Sequence, residues 1–153
     1  SYMKEILIAS DHGGFSLKEE IKCFLQKKGL RVKDLGPYND ERCDYTKYAA
    51  CLSSEISSGT FKRGVLICKS GIGNSIVANR FPAVRAALCH NLKTARLSRE
   101  HNDSNILVLG SMFVNPRLAK RMVYTWLNTN FQGGRHQRRI NQIRDIEKRI
   151  KEK

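Results

Sequence analysis

Residues 64–75 read GVLICKSGIGNS, an apolar run that leads into a glycine-rich turn. The glycines at 71 and 73 allow the backbone to turn tightly and to present several N–H groups in one direction. A helical pattern follows, and the positive end of a helix dipole favours an anion at such a turn. The stretch therefore predicts a strand, turn and helix that bring a thiol, Cys68, next to a place for a phosphate or an enediolate.

The turn does not match the better-known phosphate-binding motifs. Ile76 stands where the dinucleotide fingerprint has its third glycine, and no Gly-Lys-Ser/Thr ending marks a P-loop. An ordinary strand-to-helix loop with a buried cysteine fits the same residues equally well. The rest of the chain has to decide between these two interpretations.

The composition indicates one domain, residues 1–153, in a reducing compartment. The chain has 153 residues and 41% hydrophobic content, enough for one ordinary core and too little for two. Its five cysteines form no CxxC pair and no zinc-finger spacing, which argues against a disulfide framework or a structural metal. No apolar stretch approaches the length of a membrane span, and Met3 to Ile8 lead into a strand instead of a signal-peptide core. We therefore expect a cytoplasmic protein with no membrane partner.

The chain is strongly basic, with a formal net charge of +14. Basic surfaces attract polyanions over long distances, so a nucleic-acid or polyanion-binding module is one hypothesis. Residues 135–153 carry eight Lys or Arg against three acids and so contribute +5 of this charge. Such a run is more typical of a solvated helix face, and we do not expect nucleic acid as a partner.

Short apolar runs alternate with helical patterns along the chain. The runs predict strands at 5–10, 30–35, 64–68, 84–89 and 106–109. Helices are predicted from about 15 to Gly29, at 45–58, 76–80, 92–98 and 118–127, and after Gly133-Gly134. This alternation is typical of a parallel sheet with helices on both faces. We therefore expect an α/β fold, a Rossmann-like three-layer sandwich with a five-stranded parallel sheet and a C-terminal amphipathic helix.

The C-terminal helix has a narrow apolar seam. Its isoleucines at 140, 143, 146 and 150 recur at three- and four-residue spacing. The pattern fits docking on its own domain and docking on a second subunit equally well.

The polar residues of interest cluster at the ends of the predicted strands. Asp11 and His12 follow the first strand, Cys68 to Ser70 the third, Cys89 and His90 the fourth, and Ser111 the fifth. Ligands of parallel sheets bind outside the carboxyl ends of the strands. The segment His101-Asn102-Asp103 lies in the predicted loop before the fifth strand, so it belongs to the opposite edge of its own subunit's sheet. A second subunit could bring it to the site.

Three of these groups suggest chemistry, and each has a simpler explanation. Asp11 and His12 suit acid–base work or sugar hydroxyls, or Asp11 only caps the following helix. The segment 101–103 offers a general acid beside an amide, or is a polar loop. Arg135 and Arg139, four residues apart, can clamp one phosphate, or lie on the solvated basic face.

Four segments in register resemble the type B ribose-5-phosphate isomerases. They are IASDHGGF at 8–15, CKSGIG at 68–73, SREHND at 98–103 and GGRHQRR at 133–139. Asp44-Tyr45 and Ala78-Asn79-Arg80 are also similar to family segments, and the order fits from about Lys4 to Ile146. The family includes subunits of galactose-6-phosphate isomerase and enzymes acting on allose 6-phosphate. The exact sugar therefore stays open, with a six-carbon sugar phosphate as the alternative.

The resemblance implies an aldose–ketose isomerase of the pentose phosphate pathway that interconverts ribose 5-phosphate and ribulose 5-phosphate without metal or cofactor. In it Cys68 is similar to the base that moves a proton between C2 and C1 through an enediolate. Ser70 is similar to the hydroxyl that assists the base, and His101 to the proton donor in ring opening. Asp11 lies nearby, and the resemblance implies both a catalytic and a substrate-binding role for it.

The resemblance also implies the substrate contacts. Backbone N–H groups of Lys69, Ser70, Gly71, Ile72 and Gly73 face the enediolate as an anion hole. Phosphate ligands correspond to His12, Arg135 and Arg139, and the sugar contact to Asn102. Family members build the site between two subunits, so we expect a homodimer or a dimer of dimers, with residues 135–153 docking on the partner.

This chain departs from the family at several site positions. Some relatives use a carboxylate base six residues past the position of Cys68, where this chain has Asn74, followed by Ser75. Ser70 replaces a threonine frequent in relatives, and Met112 replaces an arginine that helps hold phosphate in many of them. Lys69 replaces a common glycine. A free thiol has a pKa of about 8.5, and we expect the helix dipole to lower that of Cys68. The Lys69 ammonium either lowers it further or points outward and adds only charge.

A third hypothesis is a protein that binds sugar phosphates through the arginines but does not catalyse a reaction. A regulatory sensor of sugar phosphates needs Arg135 and Arg139 and has no use for Cys68. Turnover distinguishes such a sensor from an enzyme.

Overall fold

The computed structural model describes residues 5–152 and contains one five-stranded parallel sheet. Met3, Lys4 and Lys153, which enter the expectations above, lie outside these residues. The strands are β1 (Ile6–Ser10), β2 (Val32–Asp34), β3 (Gly64–Cys68), β4 (Ala86–Leu88) and β5 (Ile106–Gly110). They lie side by side in the order β2-β1-β3-β5-β4, and every neighbouring pair is parallel. The predicted fold class is confirmed.

Helices cover both faces of the sheet. They are α1 (Phe15–Lys27), α2 (Tyr45–Ser57), α3 (Ile72–Ala78), α4 (Leu92–Asn102), α5 (Pro116–Leu127) and α6 (Arg135–Lys151), with a 3₁₀ turn at His12–Gly14 before α1. Successive side chains of a strand point to opposite faces. In β3, Val65 and Ile67 pack under α1, α4 and α5, whereas Leu66 packs under α2 and α3. The three central strands, β1, β3 and β5, are buried throughout, which explains their uninterrupted apolar sequences.

The two outer strands are shorter than predicted. The prediction placed them at 30–35 and 84–89, whereas β2 and β4 have three residues each. Both lie at an edge of the sheet and pair with one neighbour only. The apolar residues that flank them are buried by other contacts: Val84 lies in the core beside α2, and Cys89 in the core on the opposite face.

Two helix boundaries correct the predictions. Helix α3 begins at Ile72 instead of 76, because Gly71, with φ of 82°, turns the chain directly into the helix. Helix α4 continues through Asn102 instead of ending at 98, and Asp103, with φ of 46°, ends it. His101 and Asn102 therefore belong to the last turn of a helix and not to a loop.

Helix α6 packs partly on its own domain. Ile140 is buried, and the Glu147 carboxylate accepts hydrogen bonds from the backbone N–H of Ala83 at 3.0 and 3.1 Å. Further along the seam, Ile143 and Ile146 are both 46% exposed and Ile150 is 70% exposed. One part of the apolar seam is thus used within the chain. Docking of 135–153 on a partner remains a prediction.

Within residues 5–152, no helix is both long and apolar enough to cross a membrane.

Candidate active site

Cys68 ends β3 and lies under the glycine-rich turn. It is 5% exposed, and the Gly71 N–H donates a hydrogen bond to its Sγ at 3.1 Å. Gly71 has a positive φ, which a residue with a side chain adopts at a cost, and a Cβ built there would lie 2.5 Å from the Leu88 side chain. The turn that aims this N–H at the sulfur therefore requires glycine at 71.

The thiol is subject to opposing electrostatic influences. Burial raises the pKa of the Cys68 thiol, backbone N–H groups of Gly71, Asn74 and Ser70 lower it, and the Asp11 charge raises it again. Burial is the largest of these causes, and the net pKa lies above the ordinary value. The expectation of a lowered pKa is wrong, because the hydrogen bonds do not offset the loss of water around the sulfur.

Ser70 and Lys69 complete the turn in different ways. The Ser70 Oγ accepts a hydrogen bond from the Ile72 N–H at 3.1 Å, which tightens the start of α3. Lys69 is exposed, and its stem runs across Gly13, where an added Cβ would lie 2.5 Å from the Lys69 Cγ. Its side chain thus lies against the turn after β1.

Asp11 and His12 lie at the end of β1 on the same edge. Asp11 is buried, and its Oδ1 accepts a hydrogen bond from the Gly14 N–H at 3.0 Å. It therefore caps the 3₁₀ turn at His12–Gly14 and not α1 itself, which follows Gly14 without a side-chain cap. Its charge also acts on Cys68, which places it in the same site. The His12 Nδ1 lies 3.2 Å from the backbone nitrogen and 3.1 Å from the carbonyl oxygen of Cys43, and its tautomer selects one of these bonds.

The segment after β5 ties these turns together. The Ser111 N–H donates to the Cys68 carbonyl at 2.8 Å, and the Ser111 Oγ donates to the Gly13 carbonyl at 2.9 Å. The Met112 N–H donates to the Lys69 carbonyl at 2.9 Å, while the Met112 side chain is 69% exposed. These hydrogen bonds therefore hold the segments that follow β1, β3 and β5 together at one edge of the sheet.

Cys89 and His90, also predicted at this edge, pack against other parts of the domain. Cys89 is buried in the core under α4 and α5. The His90 ring lies against Phe113, with ring centroids 4.9 Å apart.

Tyr45 and Asn74 contribute to this edge and were not assigned from the sequence. The Tyr45 ring closes against Gly73, leaving no room there for a Cβ. Asn74 is buried in the first turn of α3. Tyr45 belongs to a segment that resembles the family, which was the signal for it. The burial of Asn74 has no local signal, because it depends on how α3 docks on the sheet.

A second group of predicted site residues lies at the opposite edge. The His101 ring, in the last turn of α4, stacks on His136 with centroids 4.3 Å apart and an interplanar angle of 12°. Arg135 and Arg139 are exposed at the start of α6, beside His136. Burial and the charges of His101, Arg135 and Arg139 lower the pKa of His136. His136 lies within a resembling segment, but its contact with His101 depends on the docking of α6.

Asp103 has a structural role in this group. Its carboxylate pairs with Arg99 at 2.8 Å and with Arg85 at 3.4 Å. Asn102 accepts a hydrogen bond from Arg85 through its backbone carbonyl, and the residue is exposed.

One chain keeps the two groups apart. Helix α4 ends where β5 begins, and the two ends of a strand as long as β3 lie about 13 Å apart at the usual rise per residue. Asp11, His12 and residues 68–73 thus share one edge, and His101, Asn102, Arg135 and Arg139 lie at the other. Across residues 5–152, no three His, Cys, Asp or Glu side chains cluster in a way that could hold a metal ion.

Known proteins of one family match this chain over nearly its whole length. The Ribose/Galactose Isomerase family model matches residues 6–143. The chain is 44% identical to ribose-5-phosphate isomerase B of Escherichia coli, over 96% of this chain and 99% of that protein. The structure of ribose-5-phosphate isomerase B from Clostridium thermocellum has a TM-score of 0.93 and 48% identity, covering 95% of this chain and 99% of that one. The enzyme of Mycoplasma genitalium with bound ribulose-5-phosphate has a TM-score of 0.91 and 41% identity, covering 96% and 99%. The chain therefore belongs to the Ribose/Galactose Isomerase family.

Proposed function

We propose that this chain is an aldose–ketose isomerase that interconverts ribose 5-phosphate and ribulose 5-phosphate. One observation carries the proposal: the buried sulfur of Cys68 lies under a turn of backbone N–H groups, beside Asp11, at the ligand-binding edge of the sheet. The relatives described above are named for this substrate, and one of them was solved with ribulose-5-phosphate. The six-carbon alternative and the polyanion-binding module have no such support among them.

In the proposed mechanism, Cys68 acts as the base. Its thiolate takes the proton from C2 of the open-chain aldose and returns it at C1, while the proton of the C2 hydroxyl passes to the C1 oxygen. N–H groups of residues 69–73 hold the enediolate between these steps. The Ser70 hydroxyl assists the base. A thiol whose pKa is raised is seldom ionised at neutral pH, but each thiolate is a stronger base.

The remaining groups are proposed to come from a second subunit. His101 donates the proton in ring opening, Asn102 contacts the sugar, and Arg135 and Arg139 hold the phosphate together with His12. One chain carries these groups at two opposite edges, so a two-fold related copy completes each site.

Exposed apolar side chains beside the Cys68 turn support such an interface. Ile72 and Ile76, in α3, are 54% and 55% exposed, and Met112 and Phe113, after β5, are 69% and 53% exposed. Both segments adjoin the Cys68 turn, because the Met112 N–H donates a hydrogen bond to the Lys69 carbonyl. Large exposed apolar side chains around one turn are typical of a surface that another protein covers. We propose a homodimer or a dimer of dimers, with α6 docking on the partner through its exposed isoleucines.

We also propose a cytoplasmic location. All five cysteines of the chain are free thiols, and Cys23 and Cys51 are exposed, which suits a reducing compartment.

The test of the function is turnover by a Cys68→Ser variant. We expect isomerisation of ribose 5-phosphate to fall at least about a hundredfold, because the hydroxyl is a much weaker base, while phosphosugar binding is retained. Allose 6-phosphate and galactose 6-phosphate, assayed with the unmodified protein, establish the sugar preference. Full activity of the variant would refute the assignment of Cys68, and binding without turnover by the unmodified protein would favour a sensor.

A further inference from the structure

Asn74 has a buried side-chain donor without a partner. The residue is 1% exposed, and among residues 5–152 its Nδ2 finds no hydrogen-bond acceptor. Buried polar groups in folded proteins are almost always paired, because an unpaired one loses its bonds to water without replacement. An amide kept in this position costs stability, so it calls for a functional explanation.

Asn74 lies next to the catalytic thiol. Its backbone N–H faces the Cys68 sulfur together with that of Gly71. Side chains of a helix lean toward its N-terminus, which for the third residue of α3 is the direction of the 68–71 turn. Ala78, one helical turn later on the same buried face, packs in the core between the sheet and α2. The Asn74 amide therefore lies where this face meets the turn.

The sulfur needs a further donor once it is ionised. Burial disfavours the thiolate, and the Asp11 carboxylate at the end of β1 adds repulsion. Lys69 is the charged neighbour within the turn itself, but its stem runs across Gly13. Helix α3 has no charged side chain, and α2 contributes the neutral Tyr45 ring over Gly73. Neutral donors are thus left to stabilise the negative sulfur.

We propose that Asn74 is a positioning residue for Cys68: its side-chain amide turns its free N–H onto the sulfur when the thiol proton leaves to solvent. The bond holds the thiolate in place to take the substrate proton. This inference rests on the proposed role of Cys68 as the base.

The test measures Cys68 ionisation without substrate. Iodoacetamide alkylation of the Cys68 peptide is followed by mass spectrometry over a pH series in Asn74→Leu, Asn74→Ala and the unmodified protein. Removal of a hydrogen bond to a charged group should move the alkylation midpoint up by about one pH unit or more in both variants. The acid limb of the kcat/KM profile should move by the same amount, lowering kcat/KM at neutral pH about tenfold.

Ser53→Ala is the matched control. Ser53, in α2, also has a buried side chain without a partner among residues 5–152, and its loss should leave the alkylation midpoint of Cys68 unchanged. Urea unfolding should show Asn74→Leu to be at least as stable as the unmodified protein, because the unpaired donor is gone. If Asn74→Leu does not fold, Asn74→Ala supplies the midpoint.

An unchanged alkylation midpoint of Cys68 in the Asn74 variants would overturn the inference. This holds even if kcat falls, because the amide would then act on the substrate or on the fold and not on the thiol. A midpoint shifted upward supports it independently of the sugar, and one shifted downward overturns it. Failure of Cys68 as the base is recognised separately, by full turnover in Cys68→Ser, and failure of the proposed function by binding without turnover in the unmodified protein.

Discussion

At the residue scale, the site depends on a thiol that its surroundings make harder to ionise. Burial of Cys68 prevails over the N–H groups that face it, so the pKa lies above the ordinary value. A base is active when deprotonated, and a raised pKa moves the acid limb of its pH profile upward. We therefore expect kcat/KM to rise with pH through and beyond the ordinary thiol range.

Asp11→Asn should lower the alkylation midpoint of Cys68. The substitution removes a negative charge that raises the thiol pKa, and the amide oxygen can still cap the turn through the Gly14 N–H. Lys69→Gly is the comparison, and it should leave the midpoint unchanged because the Lys69 stem runs across Gly13. A midpoint that rises in Lys69→Gly would restore the earlier expectation that this ammonium assists the thiol.

Gly71→Ala should destabilise the turn and reduce activity. An alanine at φ of 82° costs roughly 1–2 kcal/mol. Its Cβ would also lie 2.5 Å from the Leu88 Cδ1 and 3.3 Å from the Leu109 backbone. A shift of the turn that relieves the backbone contact moves the N–H away from the sulfur. Urea unfolding and steady-state kinetics measure the two effects. Gly59→Ala, with a similar φ of 82° and open space around it, is the control and should lose stability without losing kcat.

At the element scale, buried charge links α1 to β2. The Lys18 side chain is fully buried, and its Nζ lies 2.6 Å from Asp34, which also pairs with Lys22 at 2.9 Å. Burial alone would raise the pKa of Asp34, but hydrogen bonds from Lys18, Lys22 and the Gly36 N–H together lower it. The ionised carboxylate therefore stabilises the docking of α1 on β2.

This carboxylate should make stability depend on pH. Because the folded pKa of Asp34 is lowered, its contribution is fully present above the ordinary value of 3.8 and is lost as the pH falls through the folded value. Asp34→Asn leaves the buried Lys18 with the partly exposed Glu19 carboxylate, at 3.0 Å, as its counter-charge. Loss of the charge-assisted hydrogen bonds to Asp34 should cost about 1.5–3 kcal/mol at neutral pH. Urea unfolding from pH 7 to pH 3 checks both, and a variant as stable and as pH-dependent as the unmodified protein would contradict them.

The correction of α4 also belongs to this scale. The stretch SREHND offers no apolar periodicity beyond residue 98, so the sequence predicts that the helix ends there. Its last turn is held by the Arg99 side chain, which donates to the Asp103 carboxylate at 2.8 Å and to the Ser104 carbonyl at 2.6 Å, both just after the helix. Arg99 also donates to the Thr129 carbonyl at 3.2 Å. This last bond joins α4 to the segment after α5, and no local pattern reports it.

At the scale of the whole molecule, the proposed shared site predicts complementation between two inactive variants. Cys68→Ser removes the proposed base from one edge of the sheet, and His101→Gln removes the proposed proton donor from the other. A mixed dimer then has one site with both defects and one with neither. Unfolding and refolding an equal mixture should restore about one quarter of the activity of the unmodified protein, from random pairing in a two-fold dimer. Each variant refolded alone is the control, and no recovery in the mixture would exclude sharing of this kind.

Much of the site could be predicted because its parts are local. The segment 8–15 and the segment 68–73 each combine a strand end with a glycine turn, and parallel strands bring such ends to one edge. The separation of His101 from Cys68 follows from the same rule. The contact of His101 with His136 could not be predicted in this way, because it joins two helices distant in the chain.

The sequence by itself determined the five strands, the parallel α/β class and the edge at which each polar segment lies, because periodicity and glycine placement act over a few residues. Only the tertiary structure decided the strand order, the extent of α4, the raised pKa of Cys68 and the unpaired amide of Asn74. These depend on how completely distant segments exclude water from a group, and exclusion of water is a property of the packed molecule.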